Sequence, residues 1–331
     1  MPLSQSAPPP LLTLREDGGD VAITTSRRWP AKRADILRRF EPLLGAMPHA
    51  APPLQPQVLA QEDQGEYLLQ KVQYPVEPGE QCPAWLLLPK PLAHRQPAIL
   101  CCHGDVAQGK DEPAGVKGDR TLAVARDLVK RGFVALAPDS RGHGERPEGA
   151  PARGSLCGKM LWDHQRGLDF LCHLDAVDSD RLGAIGHGFG GMNAVLLGAF
   201  DHRIKVLAAS GAYEPFAVDT DPRRWCRPGP QSYLPALAAF LDRGQPPPFE
   251  WIELLALVAP RAFHYSHALQ DEVFPHAPAV QEDMIELGRV YDLLGCRDKF
   301  GACESPDGHG YPTAARREAY AVMKRTLQDG R

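Results

Sequence analysis

The sequence predicts an α/β protein, a doubly wound and mostly parallel sheet with helices on both faces. Three observations carry that reading. Short continuous apolar runs, at 98–102 and 133–137, have the length and composition of strands buried on both faces. Helical stretches alternate with such strands along the chain. Polar, glycine-containing segments follow the strands, at the carboxyl ends where open sheets of this kind place their sites.

Taken in order, residues 1–22 are rich in proline and glycine and read as a loose tail. Residues 29–44 carry Ile36, Leu37, Phe40, Leu43 and Leu44 at helical spacing, and Gly45 would end that helix. A proline-rich linker, 48–56, completes an N-terminal extension over 1–56. Residues 67–74 and 82–88 pattern as a hairpin, with Pro78-Gly79 in its turn. The strand at 98–102 ends in His103-Gly104-Asp105, and a helix at 122–129 leads to the strand at 133–137. A helix at 160–174 precedes a strand at 182–185, and a further strand spans 204–209. Residues 213–258 break the rhythm with Trp225, Tyr233, Phe240, Phe249 and Trp251 among many prolines, which predicts a cap inserted over the site. A strand at 261–267, a helix at 280–294, a short strand at 299–303 and a closing helix at 314–327 complete one domain over 57–331.

Bulk properties exclude several classes. The chain has 331 residues, 43% hydrophobic, and a net charge of −4, which gives no electrostatic case for nucleic acid or an anionic membrane as partner. No run approaches the roughly 18 apolar residues of a membrane span. The polar N-terminus has no secretory pattern, and the eight cysteines show no repeated CxxC spacing. The expectation is a cytoplasmic protein with reduced thiols and no cofactor. Whether it forms a homo-oligomer stays open, since the 29–44 helix could cover its own domain or a partner.

The chemistry concentrates at Gly186-His-Gly-Phe-Gly-Gly191. An apolar strand enters a glycine-rich turn and a helix leaves it, the context of a nucleophile elbow with its small-x-nucleophile-x-small pattern. Gly186 and Gly190 fill the small positions. The apex, where serine or cysteine belongs, is Gly188.

Six segments then appear in order: Cys102-His-Gly104, Pro138–Arg146, Trp162-Asp163, Gly186–Gly191, Ala268–Pro275 and Asp307–Pro312. With them the chain resembles the serine α/β-hydrolases of the dienelactone-hydrolase and acetyl-xylan-esterase-like group, over roughly residues 65–325. The resemblance implies ester hydrolysis by a triad in the order nucleophile, acid, histidine. Carried over, Asp271 is the acid, His309 the base, and Gly188 the vacant nucleophile position. Backbone N–H groups of Phe189 and of Asp105 or Val106 would form the oxyanion hole. His103, Trp225, Tyr233 and Phe274 are candidates for lining a pocket that takes a small ester or acid. The Phe189 side chain reads as a core aromatic. His103, His143 and His187 lack metal-ligand spacing, Cys101 and Cys102 lie on the wrong strand to replace the nucleophile, Arg141, Glu145 and Arg146 read as loop-bracing charges, and Asp163 reads as a helix anchor.

Three readings of the glycine stand open on sequence alone: an esterase with its nucleophile removed and close to inactive, a natural pseudoenzyme that binds an ester or acid without turnover, and slow hydrolysis by water activated at His309.

Overall fold

The computed structural model describes residues 7–48, 50–92, 94–146, 149, 154–229 and 232–329. Its strands are β1 (Thr13–Glu16), β2 (Gly19–Ala22), β3 (Gln57–Asp63), β4 (Tyr67–Glu77), β5 (Glu80–Pro89), β6 (Gln96–Cys102), β7 (Val134–Pro138), β8 (Val177–His187), β9 (Ile204–Ser210), β10 (Ala262–Ala268) and β11 (Phe300–Ser305). The helices are α1 (Trp29–Leu44), α2 (Asp111–Ala114), α3 (Val124–Val129), α4 (Leu156–His173), α5 (Phe189–Phe200), α6 (Ala238–Leu241), α7 (Trp251–Ala256), α8 (Ala277–Leu293) and α9 (Thr313–Leu327).

Among the described residues, nine strands form one sheet in the order β11-β10-β9-β8-β6-β7-β5-β4-β3. From β7 to β11 every pairing is parallel, while β3, β4 and β5 add an antiparallel flank joined through β5 to β7. The parallel strands are apolar because helices bury both their faces: β7 and β10 are buried at every position. Strand β6 lies between β7 and β8, so the connections leaving its two sides diverge and open a crevice at the carboxyl edge. One core gathers α1, α4, α5, α7 and α8, and the other holds α3 and α9 against the opposite face.

The segment at 7–22 is not a loose tail. Strands β1 and β2 form a hairpin, and Leu11, Leu14 and Ile23 are buried. The buried ammonium of Lys32 on α1 ties it down, donating to the carbonyls of Pro9, Pro10 and Thr13 at 3.1–3.2 Å. Residues 1–6 of that predicted tail lie outside the described residues. Helix α1 packs on its own domain, with Arg39 bridging to Glu253 of α7 at 2.8 Å. The described residues of 213–229 and 232–258 are mostly irregular with short helices, and Phe249 and Trp251 meet edge to face at 5.0 Å between ring centres. No described helix is long and apolar enough to cross a membrane.

Candidate active site

The elbow is dictated by close approach. A Cβ on Gly186 would fall 2.1 Å from the Gly190 carbonyl oxygen, and one on Gly190 would fall 2.4 Å from that of Cys102, so any side chain at either position would drive β8 away from its helix or from β6. Between them Gly188 has φ +56°, in the left-handed region where only glycine is free of Cβ strain. Its N–H donates to the Ser210 carbonyl at 2.8 Å, which fixes the apex between β8 and β9.

Asp271 follows β10 in a tight turn. Its Oδ1 accepts the N–H groups of Val273 and Phe274, each at 2.9 Å, and its side chain is only 4% exposed. Nδ1 of His309 lies 2.9 Å from Oδ2. Burial alone would push the Asp271 carboxyl up, but the hydrogen bonds from His309 and the two backbone donors outweigh it and hold the group below its ordinary value. Asp271 is therefore an ionised acceptor for the Nδ1–H of His309, and that contact turns Nε2 toward the apex. A Cβ on Gly188 would stand 3.0 Å from that Nε2. The imidazole thus faces the apex and presses into the room a side chain there would use.

Two further groups set this geometry. Glu272 accepts the His309 backbone N–H at 2.8 Å and anchors the loop; only its adjacency to Asp271 could have signalled it. Gly211, at φ +50°, sits under the pair, where a Cβ would approach the rings of His187 and His309 and the Asp271 carboxylate at 3.3–3.6 Å. His187 lies with its ring centre 4.7 Å from that of His309, and burial together with that neighbour pushes its pKa down to about 3, so it stays neutral.

The backbone donors divide clearly. Phe189 opens α5, where the first N–H groups have no intrahelical partner. Val106 spends its N–H on the Gly104 carbonyl at 2.9 Å, which counts against it as the expected oxyanion donor. A cavity of about 390 Å³ lies over this edge, lined by Asp105, Gly188, Phe189, Trp225, Phe274 and His309 among others. A second, of about 500 Å³, adjoins it through Asp105, Phe189 and Trp225 and extends to Tyr233 and His143. The half-buried Phe189 side chain is therefore a wall between two chambers as well as a packing aromatic. Its ring centre is 5.4 Å from that of Tyr233, whose hydroxyl donates to Asn193 at 2.9 Å.

His103 belongs to neither chamber. Its Nδ1–H donates to the Gly104 carbonyl at 2.6 Å and its Nε2 accepts the Ser140 N–H at 2.9 Å, so both nitrogens brace loops and none reaches a ligand. His143 bonds Asp105 at 2.8 Å. Cys101 and Cys102 are buried, and burial pushes both thiols far up, away from nucleophilic use. Arg146 meets Asp163 at 2.5 Å and Lys159 meets the same carboxylate at 2.6 Å; Glu145 pairs with Lys71 at 2.9 Å and Arg141 with Glu80 at 3.0 Å. None of these charges lines either chamber.

A parallel sheet with a glycine elbow at its carboxyl edge, faced by an acid-oriented imidazole, defines a protein of the α/β-hydrolase fold. Residues 97–246 match the family described as alpha/beta hydrolase fold. The chain is 28% identical over 308 residues to YtaP of Bacillus subtilis (strain 168), a protein named as a hydrolase, covering 89% of this chain and 100% of that one. In structure it is similar to a glucuronoyl esterase from Solibacter usitatus, with TM-score 0.74, 18% identity, and 96% and 97% of the two chains covered. It is also similar to an acetyl xylan esterase from Paenibacillus sp. R4, with TM-score 0.58, 17% identity, and 92% and 96% covered. At these identities the structural likenesses speak to the fold.

Proposed function

We propose that this chain binds a carboxylic ester, or the acid derived from it, at Gly188 on the frame of an esterase whose covalent route is closed. The carrying observation is the 3.0 Å between the position of a Cβ on Gly188 and Nε2 of His309, with Asp271 behind the ring at 2.9 Å. That is the alignment a hydroxyl nucleophile at 188 would need. The esterases similar in structure support the same substrate class, and the relative similar in sequence is named a hydrolase without a substrate.

Without an Oγ no acyl-enzyme forms. The remaining route is direct. Nε2 of His309 takes a proton from water as the water oxygen bonds the carbonyl carbon. The N–H groups of Phe189 and Asp105 hold the oxyanion. The carbon–alkoxide bond then breaks, the proton passes to the leaving alkoxide, and Asp271 stabilises the imidazolium meanwhile. A triad enzyme lacking a member keeps roughly 10³–10⁴-fold over water, so this activity is slight beside ligand binding. The eight free thiols support a reducing compartment, the cytoplasm.

The test is a thermal-shift screen of short acyl esters and their acids, run beside p-nitrophenyl acetate hydrolysis. A stabilising ligand without product release is the expected result. Turnover at ordinary esterase rates would mean that a different nucleophile exists and would overturn the reading.

A further inference from the structure

We propose that His264, Cys303 and Glu318 form a binding site for one zinc-like divalent cation, where α9 packs on β10 and β11. The three residues come from β10, β11 and α9, and one candidate ligand atom from each lies within 4.8 Å of the others. Strand register explains the convergence. His264 pairs with Gly301, and Cys303, two residues on, projects from the same face, where α9 packs. Gly301 lies beside the ring, and a Cβ there would make only an ordinary contact with the imidazole at 3.5 Å.

One of the distances is compatible with a shared ion. His264 Nε2 lies 3.3 Å from Glu318 Oε2, long for a charge-assisted hydrogen bond. Tetrahedral ligands with bonds of about 2.0–2.1 Å sit ~3.4 Å apart, which matches. Burial holds the imidazole below its ordinary pKa, so it is neutral and able to ligate. Burial and the neighbouring Glu318 push the Cys303 thiol up to about 12. On binding, the cation displaces that proton to solvent as the sulfur–metal bond forms. Glu318, with a side chain 60% exposed, provides the entry side, and water would fill the fourth position. His264 Nδ1 is buried without a hydrogen bond, so the ring lacks the outer partner that strengthens structural sites, and affinity is expected to be lower than theirs by ~10–100-fold.

The consequence reaches the elbow. The segment between β11 and α9 carries His309, and Cys303 and Glu318 stand on its two flanks. A cation there would clamp the elements from which that loop springs.

Cobalt(II) titration of the purified full chain tests this directly. One equivalent should bring a thiolate-to-cobalt charge-transfer band, and saturating zinc(II) should raise Tm by at least ~2 °C. Cys303→Ser should abolish the band, and Glu318→Gln, at a carboxylate whose side chain is 60% exposed, should weaken cobalt binding at least ~10-fold. No band, a band that survives Cys303→Ser, or an affinity untouched by Glu318→Gln would overturn the assignment.

Discussion

Nε2 of His309 stands 3.0 Å from where a Cβ on Gly188 would lie. That separation is tighter than an ordinary van der Waals contact, so a side chain at 188 requires the imidazole to withdraw by a few tenths of an ångström. The Asp271 hydrogen bond fixes the ring at Nδ1 and leaves it a small rotation about that contact. Gly188→Ser should therefore fold with a reoriented ring, gain p-nitrophenyl acetate hydrolysis by at least ~10³-fold in kcat/KM, and lose about 1 kcal/mol of stability to Cβ strain at positive φ. A well-folded, inactive serine variant would separate the site from ester chemistry.

The elbow, the alternating elements and the acid–histidine pair were legible because each has a local cause: glycines at a steric crossing, apolar runs under helices, a turn that presents a carboxylate. What was not legible depended on distant partners. Strand β3 is exposed along its whole length and has no apolar face to announce it; it exists because β4 offers an edge to pair with. The β1–β2 hairpin was hidden by the prolines before it and the glycines in its turn, and a lysine 19 to 23 residues from the carbonyls it binds holds it. His103 looked like a ligand contact because its motif sits at a strand end, but only the Ser140 N–H shows that its second nitrogen is spent. Glu272 acts through one backbone hydrogen bond to a residue thirty-seven positions on, which leaves no sequence pattern.

The N-terminal extension should behave as part of the body. Glu253 of α7 receives Arg39 at 2.8 Å and Lys32 at 3.2 Å, and all three side chains are buried. Glu253→Ala removes the carboxylate these two buried cations share; Arg39 keeps Asp35 at 3.0 Å and Lys32 keeps its three carbonyls, so the expected cost is about 2–3 kcal/mol. The check is urea unfolding. A loss below ~1 kcal/mol would mean that α1 is only loosely attached.

Stability should fall as pH rises toward neutrality. Burial, reinforced by the charge of Asp283, raises Glu250 to about 7, and burial with the charges of Glu282 and Glu286 raises Asp283 to about 7. Both folded values exceed the unfolded ones, so the protonated forms are favoured in the fold. Their stabilisation is complete below about pH 4 and is lost between about 4 and 7. Both groups are half-buried, so we expect roughly 1–2 kcal/mol in total. The Tyr213 hydroxyl donates to Asp283 at 2.9 Å and can equally donate to an amide oxygen. Asp283→Asn should therefore flatten the decline of Tm between pH 5 and 8; an unchanged slope would remove this carboxyl as its source.

Asp271 orients His309 through a bond that depends on its being an acceptor. In Asp271→Asn the amide can turn its NH₂ toward Nδ1, forcing that nitrogen to accept and moving the ring proton to Nε2. The base then faces the apex already protonated. In the Gly188→Ser background this should lower kcat by about 10⁴ with little change in KM, since the cavity walls are untouched. In the unsubstituted chain, where binding does not need the base, the same substitution should leave ligand-induced thermal shifts in place. A drop in kcat under ~10-fold would show that the imidazole finds its working tautomer without the carboxylate, and the functional pairing of the two residues would fall.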